Sequence, residues 1–274
     1  MRRLALLAVA FLMLAQSGTH TIRVAMNADA GQRVKATEES HVQQSLTVRA
    51  LAGNVMKTST RSDDDLEEWT STTVRRAGTN ATFRRTWTKA EHTTDGKRFF
   101  SPLQGQTVTF MVRGENVGVM ASDGAPITED ARQNVQQLER SALHAEANNY
   151  CVPPSALANG ATWTIAADQA RDCFVPLGTI NGPVTASGKL TSIENGYAII
   201  DFKFAMKLTS FGTMELVSPA PLDGTMRLRV SLTDPLDWTG TRSMHLVGTF
   251  RPPGENESLT TDMRVTGTAR SSRG

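Results

Sequence analysis

Between Ala198 and Leu208 every second residue is apolar: Ala198, Ile200, Phe202, Phe204, Met206 and Leu208 alternate with Ile199, Asp201, Lys203, Ala205 and Lys207. Successive side chains of an extended strand point to opposite faces, so this period of two makes a strand with one face for a core and one for water. A helix cannot use it, because a 3.6-residue repeat scatters the same side chains around the cylinder. The pattern recurs in Val108, Phe110 and Val112. It recurs in Met226, Leu228, Val230 and Leu232, set against Thr225, Arg227, Arg229 and Ser231, and in Met244, Leu246 and Phe250, set against Ser243, His245 and Thr249. The stretch from Gln32 to Val48 carries Val34, Ala36, Val42, Leu46 and Val48 at even spacing, and Thr70 to Thr88, near Trp69 and with Phe83 and Trp87, also reads as extended.

Strands with a single apolar face pair antiparallel, and the chain supplies turn signals for them. Asp95-Gly96, Asp123-Gly124, Asn159-Gly160, Asn181-Gly182, Asn195-Gly196 and Asp223-Gly224 are each suited to a tight hairpin turn, since Asn and Asp tolerate left-handed backbone and Gly reaches it freely. One segment has a different period. Ile127 to Asn149 places Ala131, Val135, Leu138, Ala142 and Ala145 along one helical stripe, with Thr128 as N-cap and Glu129 and Asp130 at the positive end of the dipole. A shorter helical turn is expected at Asp168 to Arg171. The expected fold is mainly β: a curved antiparallel sheet, as a half-barrel or two related half-barrels, with one amphipathic helix packed on it.

Residues Met1 to Ser17 read as a secretory signal peptide: Arg2 and Arg3, an apolar run from Leu4 to Ala15, then Ala15-Gln16-Ser17. The run is too short for a membrane span, which needs about 20 residues. The chain is therefore expected to be exported to the periplasm or beyond and to be soluble after cleavage. The organisation expected is a signal peptide at 1–17, a β-rich half at 18–126, a connecting helix at 127–149, a second β-rich half at 150–268 and a frayed tail at 269–274. Lys and Arg total 29 against 27 Asp and Glu. Loss of Arg2 and Arg3 makes the mature chain formally neutral, which argues against nucleic acid as a partner.

The chain has two cysteines, Cys151 and Cys173. In an oxidising compartment they are expected to form a disulfide. A nucleophile or metal ligand fits them less well, with no CxxC spacing and no His close after Cys151.

Catalytic motifs are missing. There is no G-x-S-x-G elbow, no P-loop and no G-x-G-x-x-G opening a helix. His144 and Glu146 lack the second His of a zinc protease, and His20, His41, His92 and His245 stand singly. Asp63, Asp64, Asp65, Glu67 and Glu68 lack the spaced ligands and Gly of a calcium loop and read as a solvated turn. Arg75-Arg76 and Arg84-Arg85 alternate with Thr and aromatic residues, a pattern suited to anionic headgroups, but read first as solvated strand positions that neighbouring strands can pair with acids. No metal or cofactor is expected. Met206, Met214, Met226, Met244 and Met263 cluster in the second half. Flexible thioethers suit an adaptable cavity for acyl chains, while alternation alone would make the same positions ordinary core.

The stretches Gly105-Gln106-Thr107-Val108-Thr109-Phe110, Ser122-Asp123-Gly124-Ala125-Pro126, Gly160-Ala161-Thr162-Trp163 and Thr185-Ala186-Ser187-Gly188-Lys189-Leu190 resemble, in order and spacing, a family of uncharacterised secreted bacterial proteins. The resemblance runs over roughly residues 99 to 250. Ala161 stands where such proteins often carry Asp. The resemblance brings no activity with it; it implies a strongly curved antiparallel sheet with a helix against it, similar to the fold of outer-membrane lipoprotein carriers.

Two function classes follow. One is an exported, non-catalytic envelope protein that binds a lipid or other apolar or amphipathic ligand in the concave sheet, with Phe204, Met206, Met226, Leu228, Met244 and Leu246 lining the cavity. The other is a structural or interaction module of the envelope with no small ligand. An enzyme would need titratable side chains brought together in a cleft.

Overall fold

The alternating segments all fold into one sheet. The computed structural model describes residues 18–25, 27–50, 54–78, 80–114, 116–123, 128–174, 180–211, 214–251 and 257–274. The expected signal peptide lies outside them, as do Ile127, Gly124 of the Asp123-Gly124 pair and the side chain of Leu138. The strands are β1 (Thr19–His20), β2 (Arg33–Ala50), β3 (Val55–Ala77), β4 (Asn80–Thr94), β5 (Lys97–Phe100), β6 (Thr107–Arg113), β7 (Asn116–Asp123), β8 (Leu157–Ala158), β9 (Thr162–Ile165), β10 (Ile180–Asn181), β11 (Val184–Glu194), β12 (Tyr197–Phe211), β13 (Met214–Ser231), β14 (Trp238–Arg251) and β15 (Glu257–Arg273). The helices are α1 (Glu129–Ala147) and α2 (Ala167–Phe174).

The main sheet runs β7-β6-β4-β3-β2-β15-β14-β13-β12-β11-β9, with β5 beside β4, β10 beside β12, and β1 and β8 forming a separate pair. It is antiparallel, curved and not closed. Its two sequence halves meet at β2 and β15, which pair from Ala50 and Glu257 down to Val34 and Arg273. Among the described residues no helix is long and apolar enough to cross a membrane.

Alternation places one face of the long strands inward where they cross the two cores, while β3 is exposed on both faces from Val55 to Arg61. In β12, Ala198, Ile200, Phe202, Phe204, Met206 and Leu208 are all buried, while Lys203, Ala205 and Lys207 are exposed. They belong to a first core shared with β11, β13, β14 and α2, in which Phe174 of α2 stacks on Phe204 at 5.0 Å between ring centroids. A second core gathers Val34, Trp69, Phe83, Trp87, Val108, Phe110 and Val112, joined by Val135 of α1.

Local signals account for the turns and helices. Asp95-Gly96 has φ values of 48° and 79° and Asn195-Gly196 has 51° and 79°, the left-handed pairs that tight hairpins need. Helix α1 opens as its sequence requires, with the Thr128 hydroxyl accepting from Ala131 N–H at 3.2 Å. The disulfide joins Cys151, just past α1, to Cys173 in α2. Its reduction is expected to lower stability by about 3 kcal/mol, the loop-closure value for a link of this span. Urea denaturation with and without reductant measures this, and unchanged midpoints would show that the link adds nothing.

Five expectations change. Asp223-Gly224 is no turn: both residues lie inside β13, paired with Ala205 and Phe204 of β12. The glycine is there for space, since a Cβ on Gly224 would fall 2.1 Å from the Phe204 ring. Thr70 to Thr88 is the facing arms of a hairpin, β3 and β4, turning at Gly78 with φ 59°. The tail expected to fray is the end of β15, where Ser271 is buried and Gly274 N–H donates to Arg33 C=O at 3.0 Å. The Asp63–Glu68 cluster lies mid-strand in β3, with Asp64 paired to His41 on β2 and Asp65 to His92 on β4. The helical turn at Asp168 to Arg171 is longer than expected, since α2 runs from Ala167 to Phe174 and buries Ala170 and Phe174.

Candidate ligand-binding interior

The six residues expected to line a cavity share the inner face of β12, β13 and β14. Phe204, Met206, Leu228 and Leu246 are buried in the first core, and Met226 and Met244 are half-buried against it. Neighbouring strands bring them together in register, with Phe204 opposite Gly224 and Gly224 opposite Met244, and Met206 opposite Leu222 and Leu222 opposite Leu246.

A concavity opens at the other end of the inner face, below α1, and none of these six residues lines it. Its volume is about 1080 Å³, and its walls come from the segment before β2, the C-terminal half of α1 and the lower ends of β3, β4 and β6. Ile22, Val24, Phe83, Val112, Leu143 and Leu236 give it apolar surface. The polar wall centres on Glu146, which accepts from Asn27 Nδ2 at 3.1 Å and lies 3.4 Å from the Arg76 guanidinium. Arg76 also donates to the Asn27 carbonyl at 3.0 Å, so it ties the N-terminal segment to α1 while remaining the exposed strand position expected from sequence. Burial pushes the Glu146 carboxyl above the usual carboxylate range, against the pull of Arg76 and Asn27.

Above this cavity, α1 and the sheet enclose a charge pair. Arg85 of β4 and Glu139 of α1 meet at 2.8 Å, with only 10% and 2% of their side chains exposed. The guanidinium lies 4.0 Å from the Trp69 ring centre and within 6 Å of the rings of Phe83, Trp87 and Phe110. The expectation for Arg85 is a solvated strand position paired with acids on neighbouring strands, and the structure instead buries it against α1. The strand period could have corrected this, since Phe83, Arg85 and Trp87 share one parity and both aromatics face inward. Tyr150 follows α1 and packs on Trp238 at 6.2 Å between ring centroids. Burial raises its phenol well above the usual range, Glu146, Glu139 and Glu38 push the same way, and Arg85 opposes them.

Three of the four histidines that stand singly in sequence become cross-strand pairs. His41 Nδ1 meets Asp64 at 2.6 Å, His92 Nδ1 meets Asp65 at 2.6 Å, and His245 Nε2 meets Asp262 at 2.8 Å. At His92 the chain continues, because Nε2 lies 2.5 Å from the Thr94 hydroxyl. Carboxylate, imidazole and hydroxyl in a row have the order of a nucleophilic triad. However, the Thr94 hydroxyl also faces Asp63 Oδ1 at 2.7 Å, a second acceptor competing for its proton. Moreover, Thr94 pairs with Asp63 on one side and Lys97 on the other, so it sits inside a ladder that uses backbone N–H groups an oxyanion hole would need. Among the described residues no group of three or more His, Cys, Asp or Glu is placed to hold a metal ion.

No protein-family model matches the chain, and no curated protein matches it. Among solved structures it is similar to an outer membrane channel from Pseudomonas putida F1, at 6% identity and a TM-score of 0.25, over 90% of this chain and 97% of that one. It is also similar to the outer membrane protein OprG from Pseudomonas aeruginosa, at 10% identity and a TM-score of 0.21, over 91% of this chain and 100% of that one. Neither family nor activity follows from overlaps of this size.

Proposed function

We propose that this is an exported, non-catalytic protein of the cell envelope that holds an apolar or amphipathic ligand inside its curved sheet. The observation that carries the reading is the cavity of about 1080 Å³ beneath α1, where apolar side chains and polar or charged ones line the same space. Export rests on the leader-like Met1–Ser17 and on a disulfide that an oxidising compartment would maintain. The non-catalytic reading is supported by the His–Asp pairs, which lie on part-exposed strand positions away from that cavity. Native mass spectrometry of protein purified from its own host is expected to show a co-purified ligand of lipid mass, and stripped protein is expected to take lipid from extracted membranes. A bare protein that also takes up nothing would overturn the reading.

A second reading, an interaction module without a small ligand, has its own observation. Phe99 and Phe100 on the short strand β5 are 52% and 62% exposed, as are Val55 and Met56 at the start of β3 at 54% and 60%. A bare protein in the same experiment would favour it.

A further inference from the structure

We infer that the free edge of β3 from Val55 to Arg61 is a docking site for an extended acidic segment of a partner protein, which joins the sheet there as one more strand. This does not depend on whether the interior holds a ligand. On one side β3 pairs with β2 from Val55, opposite Arg49, to Thr72, opposite Arg33. On its other side β4 covers it only from Asp63, opposite Thr94, to Ala77, opposite Asn80. The stretch left uncovered, Val55 to Arg61, is exposed at every residue.

The backbone at that edge faces outward. At Ser62, beside the Asp95-Gly96 turn that ends β4, the N–H donates to Asp95 Oδ1 at 3.0 Å and the C=O accepts from Asp95 N–H at 2.9 Å. The backbone groups of Ser62 therefore point away from β2. Pairing with β2 is unbroken from Ser62 to Lys57, so those of Thr60 and Thr58 point the same way. No described strand pairs with them on that side. A row of free N–H and C=O groups on an exposed edge is a template for a further strand.

Charge selects the occupant. From Val55 to Ser62 the strand carries Lys57 and Arg61 and no acid, and the facing stretch of β2, Gln43 to Arg49, carries no acid either. Arg61 meets Asp63 at 2.7 Å, whereas Lys57 has no partner among the described residues. Asp95, at the foot of the edge, is already held by Ser62. Symmetric antiparallel pairing with a second copy would bring Lys57 and Arg61 of both chains onto one face of the joined sheet, and lysines on an edge oppose such self-association. An incoming strand with an acid at every second position sets those acids beside Lys57 and Arg61, which alternation puts on one face. Its intervening residues then stand opposite Thr58 and Thr60, and their backbone groups complete the ladder.

The test follows two fluorescent peptides, Thr-Glu-Val-Glu-Val-Glu-Thr and Thr-Lys-Val-Lys-Val-Lys-Thr, by anisotropy as the purified protein is added. The acidic peptide is expected to bind at least about tenfold more tightly than the basic one, and Lys57→Glu is expected to reverse that order. Methylating the backbone nitrogens of both valines in the acidic peptide, the residues opposite Thr58 and Thr60, is expected to weaken it about tenfold or more. Thr60→Pro removes an N–H that no described strand uses and is expected to weaken the acidic peptide about tenfold while the thermal midpoint holds. Should the proline variant fail to fold, the methylated peptide makes the same comparison on the wild type. Equal binding of the acidic and basic peptides, or an order that Lys57→Glu leaves unchanged, would overturn the acidic partner. A methylated peptide that binds as well as its parent would overturn strand addition. A protein that sediments as a dimer and takes up neither peptide would give the edge to a second copy and overturn the proposal, as would a monomer that takes up neither.

Discussion

Arg85→Met is expected to lower stability by about 3–5 kcal/mol, because it leaves the Glu139 carboxylate buried without its counter-charge. Glu139 is almost wholly enclosed, and Arg85 supplies both its ion pair and a cation over Trp69. Neither charge can turn to water without lifting α1 from the sheet. The double variant Arg85→Met/Glu139→Leu is expected to regain most of the loss, since two apolar side chains of similar volume remove the desolvation penalty along with the pair. Urea midpoints of the wild type, both single variants and the double variant close the cycle. A single variant within about 1 kcal/mol of the wild type would show that Glu139 reaches solvent and that α1 is not seated over Arg85 as described. A double variant as weak as the single would place the loss in packing.

That pair also marks where reading the sequence stops working. Where apolar alternation is unbroken along one strand the expectation held, since β12 buries the six residues its alternation selects, and Thr128 caps α1, whereas Val42, Leu46 and Val48 of β2 are only half-buried. The Thr70–Thr88 stretch failed at a boundary, because Gly78-Thr79 is a weaker turn signal than Asn-Gly or Asp-Gly and both arms of the hairpin are rich in Thr. Asp223-Gly224 failed for a different reason. The dipeptide allows a turn, but the need there comes from Phe204 on the neighbouring strand, which has no room for a Cβ. The candidate site divides in the same way. Phe204, Met206, Met226, Leu228, Met244 and Leu246 were legible as one inward surface, yet the cavity below α1 is built from Ile22, Phe83, Arg76 and Glu146, far apart in the chain. Glu139 lies one position beyond Leu138 in the helical stripe, and only the presence of Arg85 across the gap explains a carboxylate there. The paired end of β15 was missed because Ala269–Gly274 reads as a small, polar tail, and its order comes from pairing with β2 more than 200 residues earlier.

The same long-range pairing governs what happens when one core is damaged. Phe202→Ala is expected to lower stability by about 3–5 kcal/mol, the usual result of deleting an enclosed aromatic ring. The ring meets Trp163 edge-on at 6.0 Å and Phe174 at 5.5 Å between centroids. It stands opposite Gly188, where a Cβ would lie 2.3 Å from Trp163, so the indole already fills the neighbouring place. Little is free to move into the gap. Trp163 packs on the first core and Trp87 lies in the second, and β2 and β15 join the strands that carry them along their full length. With so much of the sheet shared, unfolding is expected to be one transition in which both cores are lost together, in the wild type and in the variant. Variants retaining only Trp163 or only Trp87 as fluorescent reporter should therefore give coincident urea curves, and Phe202→Ala should move both by the same amount. A Trp163 curve that shifts while the Trp87 curve stays in place would show that the β2–β15 seam does not couple the two cores, and that the halves on either side of it unfold as separate units.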